Sequence, residues 1–384
     1  MRAGEHRSAI VATRIYEPEG GAAAFRLAAL VRALNAAGYR TTVLTSRVPE
    51  RVPSTREVRR WPVLRDHAGA VRGYVQYASF DIPLFFRLMF SRRSDVVIVE
   101  PPPTTGVVCR MICRMRRIPY VYFSADVAAT AAAGIGVSKT IVSVLRRVEG
   151  WVLRGARLVL AISDDVAREV VHLGAPATRV VTVGTGIDTR LFNPDGPHAA
   201  SGYQYFVYAG TMSEIQGAGV FVEAFSRIAT RYPGVRLIML GQGVERARLE
   251  REATAAGPGR VEFPGTVSGE RVAEWLRGAC AGLASVRPER GYDFAYATKA
   301  LVTLACGAPV IYAGVGPVAN EVEDHDLGWA VGWDAAQVAE AMEAALADPI
   351  TSADRLRLAQ WATDNASLDR VAQTAVRAID SALR

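Results

Sequence analysis

Residues 298–311 read TKALVTLACGAPVI. Their apolar spacing predicts a helix that ends near Gly307, and Pro309 then begins a short run typical of a buried strand. Thr298 is a residue type that caps helix N-termini, and Lys299 follows it. Because a helix start has unpaired N–H groups and a partial positive charge, this lysine is expected to bind phosphate. A solvated lysine beside a buried helix is the alternative.

The alternation of helix and strand continues through the whole chain. Short apolar runs that predict strands lie at residues 8–12, 41–45, 95–99, 120–123, 158–162 and 180–183, and again at 205–209, 236–240, 261–263, 282–285 and 309–312. Amphipathic patterns between them predict helices at 22–37, 105–116 and 138–154. A series of β-α-β units predicts an α/β protein with parallel sheets that helices cover on both faces.

Turn-forming residues are dense between Asn193 and His198, where the alternation stops. Such density marks a linker, so a second doubly wound domain is predicted to begin near residue 200. Open parallel sheets bind ligands beside the carboxyl ends of their strands, and clefts between domains are preferred sites. The functional residues are therefore expected in the loops after the strands, facing a cleft between the two domains.

The composition describes a globular protein of 384 residues, of which 50% are hydrophobic and 22% charged. Its formal net charge is +7, but the basic residues are scattered and form no nucleic-acid-binding module. We therefore expect no nucleic-acid partner, and an acidic substrate or an anionic membrane surface explains the sign of the charge as well. Four cysteines without disulfide spacing indicate a reduced, cytoplasmic protein.

The most apolar stretch covers residues 82–90, and Arg92 and Arg93 follow it closely. It is shorter than the ~20 apolar residues of a spanning helix, so no transmembrane segment is predicted. Nor is a signal peptide, because Arg7 and Arg14 bracket the first apolar run. A packed core helix is the commoner explanation of the stretch, and a helix lying on a membrane surface is the alternative.

Two loops in the first half of the chain carry candidate residues. Gly20 and Gly21 precede the first helix, where backbone N–H groups can meet an anion or a sugar, although a glycine pair is equally often plain turn chemistry. Asp126 follows the predicted strand 120–123 and is expected to face the cleft. A carboxylate there could accept a hydroxyl proton or bind a sugar hydroxyl, and a helix N-cap is its alternative role.

Four strand-end loops in the second half carry glycine or a helix start. The first, residues 210–217, has the order strand, glycine, polar loop and helix that is typical of a phosphate loop. Gly241 ends the next strand, and Thr266 and Val267 lie in a third loop whose backbone groups could read a flat base. Lys299 begins the fourth. Because parallel strands end at one edge of a sheet, these four loops are expected to converge.

No metal site is predicted. The run from Glu323 to Asp326 is better explained as a solvated turn, because adjacent side chains do not point together. Cys109 and Cys113 are better explained as buried thiols on one helix face. No dinucleotide fingerprint, nucleophile elbow or Walker loop occurs in the sequence.

Taken in chain order, these motifs resemble the retaining nucleotide-sugar glycosyltransferases of family 4, and the resemblance covers nearly the whole chain. In the first half it rests on Pro18-x-x-Gly21, Glu100-Pro101-Pro102, Ala161-Ile162-Ser163 and Gly186-Ile187-Asp188 with Phe192-x-Pro194. In the second half it rests on Tyr208-Ala209-Gly210, Gln216-Gly217, Thr298-Lys299 and Ala305-x-Gly307-x-Pro309-Val310. The chain is most similar to the bacterial branch with an Ala-Gln-Gly-type phosphate loop.

The resemblance implies a GT-B fold of two Rossmann-like domains and a hexosyltransferase activity. Residues 1–195 would bind the acceptor and residues 196–365 the nucleotide sugar, and a helix over 366–384 would cross back to the first domain. The implied reaction moves a sugar, with retention, from a nucleoside-diphosphate sugar to an acceptor hydroxyl, in bacterial natural-product or cell-surface glycan biosynthesis. A UDP-sugar such as UDP-GlcNAc is favoured, and no metal or other cofactor is expected. The acceptor is a soluble small molecule or a lipid-linked sugar, and the latter would bring peripheral membrane contact.

The site residues follow from the same resemblance. The implied catalytic residues are Asp126, which would act on the acceptor or the sugar, and Lys299, which would stabilise the charge of the leaving β-phosphate. The implied donor-binding residues are Gly21, Gly210, Thr211, Gln216, Gly241, Thr266, Val267, Arg287, Glu289, Asp293, Thr298 and Lys299. The implied acceptor-binding residues are Glu17, Gly20 and Asp126.

Three positions depart from the pattern of the family. Val302 and Phe294 stand where many members carry acidic residues, the first of them facing the donor ribose, and Thr185 stands where an asparagine is usual. Glu289 and Asp293 are the nearest acids in sequence that could replace the missing contacts. These departures leave the nucleotide and the sugar open. They also leave two alternatives, a catalytically weak sugar-nucleotide-binding partner of another transferase and a GT-B nucleotide-sugar epimerase.

Overall fold

The computed structural model describes residues 7–19, 21–48, 53–66, 71, 73–130, 138–199, 202–289, 293 and 295–384, except for the side chain of Ala255. The chain divides into two compact units. The first comprises Met1–Gly186 and Leu368–Arg384, and the second comprises Ile187–Ser367. The chain therefore passes from one unit to the other twice.

The sheet of the first unit has seven described strands, all parallel, in the order β3-β2-β1-β4-β5-β6-β7. The strands are β1 Ser8–Ala12, β2 Arg40–Ser46, β3 Val58–Trp61, β4 Val96–Val99, β5 Tyr120–Ser124, β6 Leu158–Ala161 and β7 Val180–Thr182. The central strands β4 and β5 are buried along their whole length, as expected for a sheet covered on both faces.

Helices cover both faces of this sheet. They are α1 Ala22–Ala36, α2 Tyr74–Met89, α3 Pro103–Arg116, α4 Lys139–Gly155, α5 Asp164–His172 and, at the end of the chain, α13 Leu368–Leu383. One core contains Phe80 of α2, Ile112 of α3 and Val152 of α4. The core on the opposite face contains Leu30 of α1 and Ile379 of α13. Thus α2, α3, α4 and α5 lie on one face, and α1 and α13 lie on the other.

The second unit repeats this architecture with a parallel six-stranded sheet in the order β10-β9-β8-β11-β12-β13. Its strands are β8 Gln204–Ala209, β9 Val235–Leu240, β10 Val261–Gly265, β11 Ala281–Val286, β12 Val310–Gly314 and β13 Gly328–Val331. Its described helices are α6 Gly219–Ile228, α7 Arg246–Glu252, α8 Gly269–Arg277, α9 Thr298–Ala305, α10 Pro317–Asp324, α11 Ala335–Ala347 and α12 Ser352–Ala366. The α/β prediction and the two Rossmann-like sheets are confirmed.

The turn-rich stretch between Asn193 and His198 is not where the chain leaves the first unit. The change lies at Gly186/Ile187, and the stretch belongs to the second unit. Arg277 at the end of α8 holds it there, because its guanidinium donates to the carbonyl groups of Asn193 (2.8 Å) and Pro197 (3.1 Å). The second change, at Ser367/Leu368, lies close to the predicted 365/366 boundary.

The helix start at Lys299 also differs from the prediction in one respect. Ala297 occupies the N-cap position, and no side chain caps the helix. Thr298 is therefore the first helical residue and not the cap.

None of the helices in the described ranges combines the length and the hydropathy needed to cross a membrane.

Candidate functional site

A pocket of about 580 Å³ lies at the carboxyl ends of β8, β9 and β10, beside the first turn of α9. All of its lining residues belong to the second unit. They are Phe192, Ala209, Gly210, Thr211, Gln216, Leu240, Gly241, Gln242, Thr266, Val267, Val272, Tyr296, Ala297, Thr298, Lys299 and Val302. Eight of the predicted donor-binding residues are brought together here: Gly210, Thr211, Gln216, Gly241, Thr266, Val267, Thr298 and Lys299.

Two glycines set the floor of the pocket by letting neighbouring loops touch. A Cβ atom on Gly241 would lie 2.1 Å from the carbonyl oxygen of Gly210, and its φ of +127° is itself costly for any other residue. The N–H groups of these glycines are already used, since Gly210 donates to Leu240 and Gly241 donates to Gly265. The glycines therefore act through close packing of the backbone, and their N–H groups do not face the pocket.

Among the described residues that line the pocket, Lys299 is the only one with a cationic side chain. Its ammonium group donates to the hydroxyl of Tyr208 at 2.9 Å and to the Oε1 atom of Gln216, and it lies 4.4 Å from the centre of the Tyr208 ring. It forms no ion pair within the described part of the chain. Burial lowers the pKa of the ammonium from 10.5 to about 7. A cation held this way, with neutral partners only, is an incomplete anion site.

None of the described lining residues has an acidic side chain. Val302 lies one helical turn after Lys299, and it packs with Phe192 and Val272 at the edge of one buried cluster. The lining therefore combines a cationic end with an apolar side. The polar lining side chains that could bind the hydroxyl groups of a ligand are those of Thr211, Gln216, Gln242, Thr266, Tyr296 and Thr298.

Three predicted donor-binding residues are not part of this lining. The guanidinium of Arg287 lies 4.6 Å from the ring centre of Trp333 and borders a separate surface cavity. Glu289 is exposed in a left-handed conformation with φ 62°, and Asp293 is exposed as well. Phe294 lies outside the described residues. The two acids thus follow β11 in sequence without lining the pocket.

The loops of the first unit hold the predicted acceptor residues. Gly21 is the N-cap residue of α1, and it has open space on the side where a Cβ atom would stand. Gly21 belongs to the first unit, and its part in donor binding stays a prediction. The carboxylate of Glu17 lies 3.6 Å from Arg32 in a half-exposed ion pair. Gly20 lies outside the described residues.

Asp126 lies just after β5 and is exposed, but protein surrounds the carboxylate and raises its pKa, against the opposing charges of Arg26 and Arg14. Its side chain caps no helix. The N–H groups of Ala128 and Ala129 are instead taken by Glu149, at 3.1 and 3.0 Å. The N-cap alternative for Asp126 is therefore wrong, and its carboxylate remains available to a ligand.

Two further acids near Asp126 were not assigned from the sequence. Glu100, at the end of β4, is buried and pairs with Arg26 at 3.0 Å. Burial raises the pKa of Glu149 to about 7, although the two backbone N–H groups that it accepts oppose the shift. The Glu100-Pro101-Pro102 motif was a usable signal for the first of these acids. Glu149 gave none, because it reads as one more polar residue of a helix.

Each of the two units matches its own family model, and both models describe glycosyltransferase domains. Residues 203–348 match the family described as glycosyl transferases group 1, and residues 20–186 match the glycosyl transferase 4-like domain. Each unit therefore carries a match to a glycosyltransferase domain, and the two matches together span most of the chain. The chain is 28% identical, over 242 residues, to a D-inositol 3-phosphate glycosyltransferase of Pseudarthrobacter chlorophenolicus, and the aligned region covers 59% of this chain and 56% of that relative. The match thus spans about half of the relative's length.

Solved glycosyltransferase structures share the GT-B fold over almost the entire chain. Sucrose-phosphate synthase of Thermosynechococcus elongatus superposes with a TM-score of 0.74 at 17% identity and covers 98% of both chains. The Anabaena protein HepE, in complex with UDP-glucose, superposes with a TM-score of 0.67 at 16% identity and covers 98% of this chain and 100% of its own. At these identities the likeness concerns the fold alone.

The described residues contain no group of three or more His, Cys, Asp or Glu side chains that could hold a metal ion. The run from Glu323 to Asp326 spans the end of α10 and the turn after it. There Asp326 has a positive φ of 52° and contacts Arg357 at 3.6 Å. These residues make a solvated turn with one ion pair.

Proposed function

We propose that this protein is a retaining glycosyltransferase that moves a sugar from a nucleoside-diphosphate sugar to an acceptor hydroxyl without a metal ion. The observation that carries the proposal is Lys299, a buried ammonium with neutral partners among the described contacts. It lies in a pocket at the ends of three parallel strands, and no acid is found among the described lining residues. The matches of both units to glycosyltransferase domains support the proposal. We assign the pocket to the donor and its cationic end to the diphosphate.

The chemistry that we propose uses Lys299 as the counter-charge of the leaving group. With a pKa of about 7, the free ammonium is only partly protonated near neutrality. A bound diphosphate favours the charged form, because an opposite charge within a few ångströms raises a lysine pKa. The protonated ammonium then stabilises the charge that develops on the β-phosphate as the glycosidic bond breaks. The acceptor hydroxyl attacks on the same face, and the departing phosphate takes its proton.

The proposed donor is a UDP-sugar such as UDP-GlcNAc. The Anabaena neighbour was solved with UDP-glucose, which supports a nucleotide sugar as the ligand class. We assign the nucleoside to the side of the pocket formed by Gln242, Thr266, Val267 and Val302, since the cationic end is taken by the diphosphate.

The proposed acceptor site is in the loops of the first unit. Asp126 follows β5 and is an exposed carboxylate that accepts no hydrogen bond among the described contacts, and we assign it to a hydroxyl of the acceptor or the transferred sugar. The name of the Pseudarthrobacter relative gives a cyclitol phosphate as the glycosylated molecule. A polyhydroxylated small molecule or a lipid-linked sugar is the acceptor class that we propose, in natural-product or cell-surface glycan biosynthesis.

The experiment measures nucleotide release and thermal stabilisation with UDP-GlcNAc, UDP-glucose, GDP-mannose and dTDP-glucose, with and without EDTA. Lys299→Met should lose both stabilisation and release. The matched control is Lys139→Met, because Lys139 is the other lysine of the chain and is exposed. Asp126→Asn should keep nucleotide binding and lose turnover.

Each alternative gives a different result. A nucleotide sugar could stabilise the protein while no nucleotide is released and no sugar is transferred to any acceptor of a broad panel. That result would favour the alternative that the protein is a binding partner of another transferase. Conversion of the sugar without an acceptor would make the protein an epimerase. Loss of release in EDTA, restored by a divalent cation, would refute the metal-independent mechanism.

A further inference from the structure

The outer surface of helices α2, α3 and α4 is both apolar and basic. These three helices lie side by side on one face of the first sheet, with α3 in contact with both of its neighbours. We call their solvent-facing side the outer layer. It is remote in sequence from the donor pocket and belongs to the other unit.

The apolar residues of the outer layer form stripes along each helix. On α2, Val75, Ile82 and Phe86 recur at helical spacing, and Phe90 extends the stripe just past the helix end with 81% of its surface exposed. Its opposite side, with Phe80, Leu84 and Leu88, is buried against the sheet. The exposed apolar residues of the two neighbouring helices are Met111, Met115, Ile141, Val144 and Trp151.

The charges of the outer layer are of one sign. Its three helices contain only two acidic residues, Asp81 and Glu149, and both side chains are buried. Asp81 accepts from Thr105 at 2.7 Å, and Glu149 accepts two backbone N–H groups. The exposed basic residues on or directly beside these helices are Arg92, Arg93, Arg114, Arg117, Lys139, Arg146, Arg147 and Arg154.

We propose that the outer layer is a docking surface for an anionic lipid membrane. Aromatic and aliphatic side chains that stand exposed in rows insert shallowly between lipid headgroups, and surrounding arginines pair with lipid phosphates. The absence of any exposed carboxylate on the three helices is what selects a polyanionic surface as the occupant. A second copy of the chain would instead bring the same positive charges face to face.

The test is flotation of the full chain with mixed phosphatidylglycerol–phosphatidylcholine vesicles and with pure phosphatidylcholine vesicles. Binding to the anionic vesicles only, weakened by salt, is the expected result. The triple variant Arg114→Gln, Arg146→Gln, Arg147→Gln should lose roughly a hundredfold in partitioning at low salt, at about fivefold per charge. The double variant Phe86→Ser, Phe90→Ser should lose at least about tenfold.

Matched controls come from the rest of the surface. Val244 and Leu356 are exposed apolar residues of the second unit, and replacing both with serine should leave vesicle binding unchanged. Arg40, Arg251 and Arg377 are exposed outside the outer layer, and replacing all three with glutamine tests net charge alone.

Three results would overturn the proposal. One is absence of binding to anionic vesicles by the wild-type chain. Another is equal loss of binding in the variants and in their controls. The third is a wild-type dimer in light scattering that becomes a monomer in the double variant Phe86→Ser, Phe90→Ser. That result would mean that a second copy of the chain covers the outer layer. Nucleotide-induced thermal stabilisation, measured on every variant, reports folding and the donor site independently of the membrane result.

Discussion

Replacing Lys299 with methionine should weaken the binding of UDP and abolish a specific dependence of that affinity on pH. The wild-type ammonium has neutral partners and a pKa lowered to about 7. A diphosphate bound beside it holds it protonated. Binding above neutral pH therefore takes up a proton, and affinity falls as the pH rises.

The magnitude follows from the pKa. Between about pH 7 and pH 9 the protonated fraction of a group with a pKa near 7 falls from about a half to about a hundredth. The affinity of the wild-type protein for UDP should then fall about 50-fold, or about 2.3 kcal/mol. At and below pH 7 the variant should bind more weakly than the wild type by about 1.5–3 kcal/mol, which is typical for a hydrogen bond to a charged group.

Two measurements check this. Titration calorimetry with UDP across the pH range should give a sloping curve for wild type and Lys139→Met, and a flat one for Lys299→Met. The chain has two lysines, so reductive methylation with ¹³C-formaldehyde gives two lysine signals whose pKa values can be read by NMR. A Lys299 signal that titrates near pH 10, or parallel curves for wild type and Lys299→Met, would refute the reasoning.

Three further substitutions follow from the structure. Val302→Glu adds a carboxylate to a lining whose described residues include no acid, and it should raise the preference for UDP over dUDP by on the order of tenfold in competition assays. The reason is that a buried carboxylate can accept a hydrogen bond from the ribose 2′-hydroxyl, which dUDP lacks. An unchanged ratio of UDP to dUDP affinity would mean that Val302 does not face the ribose. Gly241→Ala should lower unfolding stability by about 2 kcal/mol or more, because of the contact with Gly210 and the positive φ, whereas Gly234→Ala, which has open space, should melt like the wild type. Glu149→Ala should cost about 1–3 kcal/mol in chemical denaturation by leaving two N–H groups unpaired, and an effect under half of that would mean that water replaces it.

Much of the fold could be predicted from the way short apolar runs alternate with amphipathic patterns along the sequence, because buried parallel strands are short apolar runs. The two strands that were missed are edge strands of a different character. β3 contains Arg59 and Arg60 and so makes no apolar run. β13 is a four-residue stretch, GWAV, that begins with glycine and is only partly buried, so its short sequence was not recognised as a strand. Their pairing depends on the neighbouring strand, which the local sequence does not describe.

The pocket was predictable where sequence order fixes position. Gly210, Gly241 and Lys299 follow or precede core elements directly, so their convergence at one sheet edge follows from the topology. Glu289 and Asp293 were chosen for their nearness to Lys299 in sequence, but neither is among the described lining residues. A loop's path depends on packing that sequence spacing does not determine.

The partners of functional side chains were the least predictable part. Tyr208 reads as one more residue of a buried strand, yet its hydroxyl accepts from Lys299. Glu149 reads as a helix residue, yet its carboxylate accepts the N–H groups of Ala128 and Ala129, a role that the sequence offered to Asp126. The decisive contact joins different elements in both cases, 91 positions apart for Lys299 and 20 or 21 for Glu149, and only the tertiary structure brings them together.

The position of α13 has a consequence for the order in which the protein is made. This helix supplies Val371, Ala375 and Ile379 to the core that also contains Leu30 of α1. The ribosome therefore releases nearly all of the first unit early, and the whole second unit follows before the residues that close this core are synthesised. The unit that is translated first is the one that is completed last, with an apolar sheet face that α1 covers only in part until α13 is made.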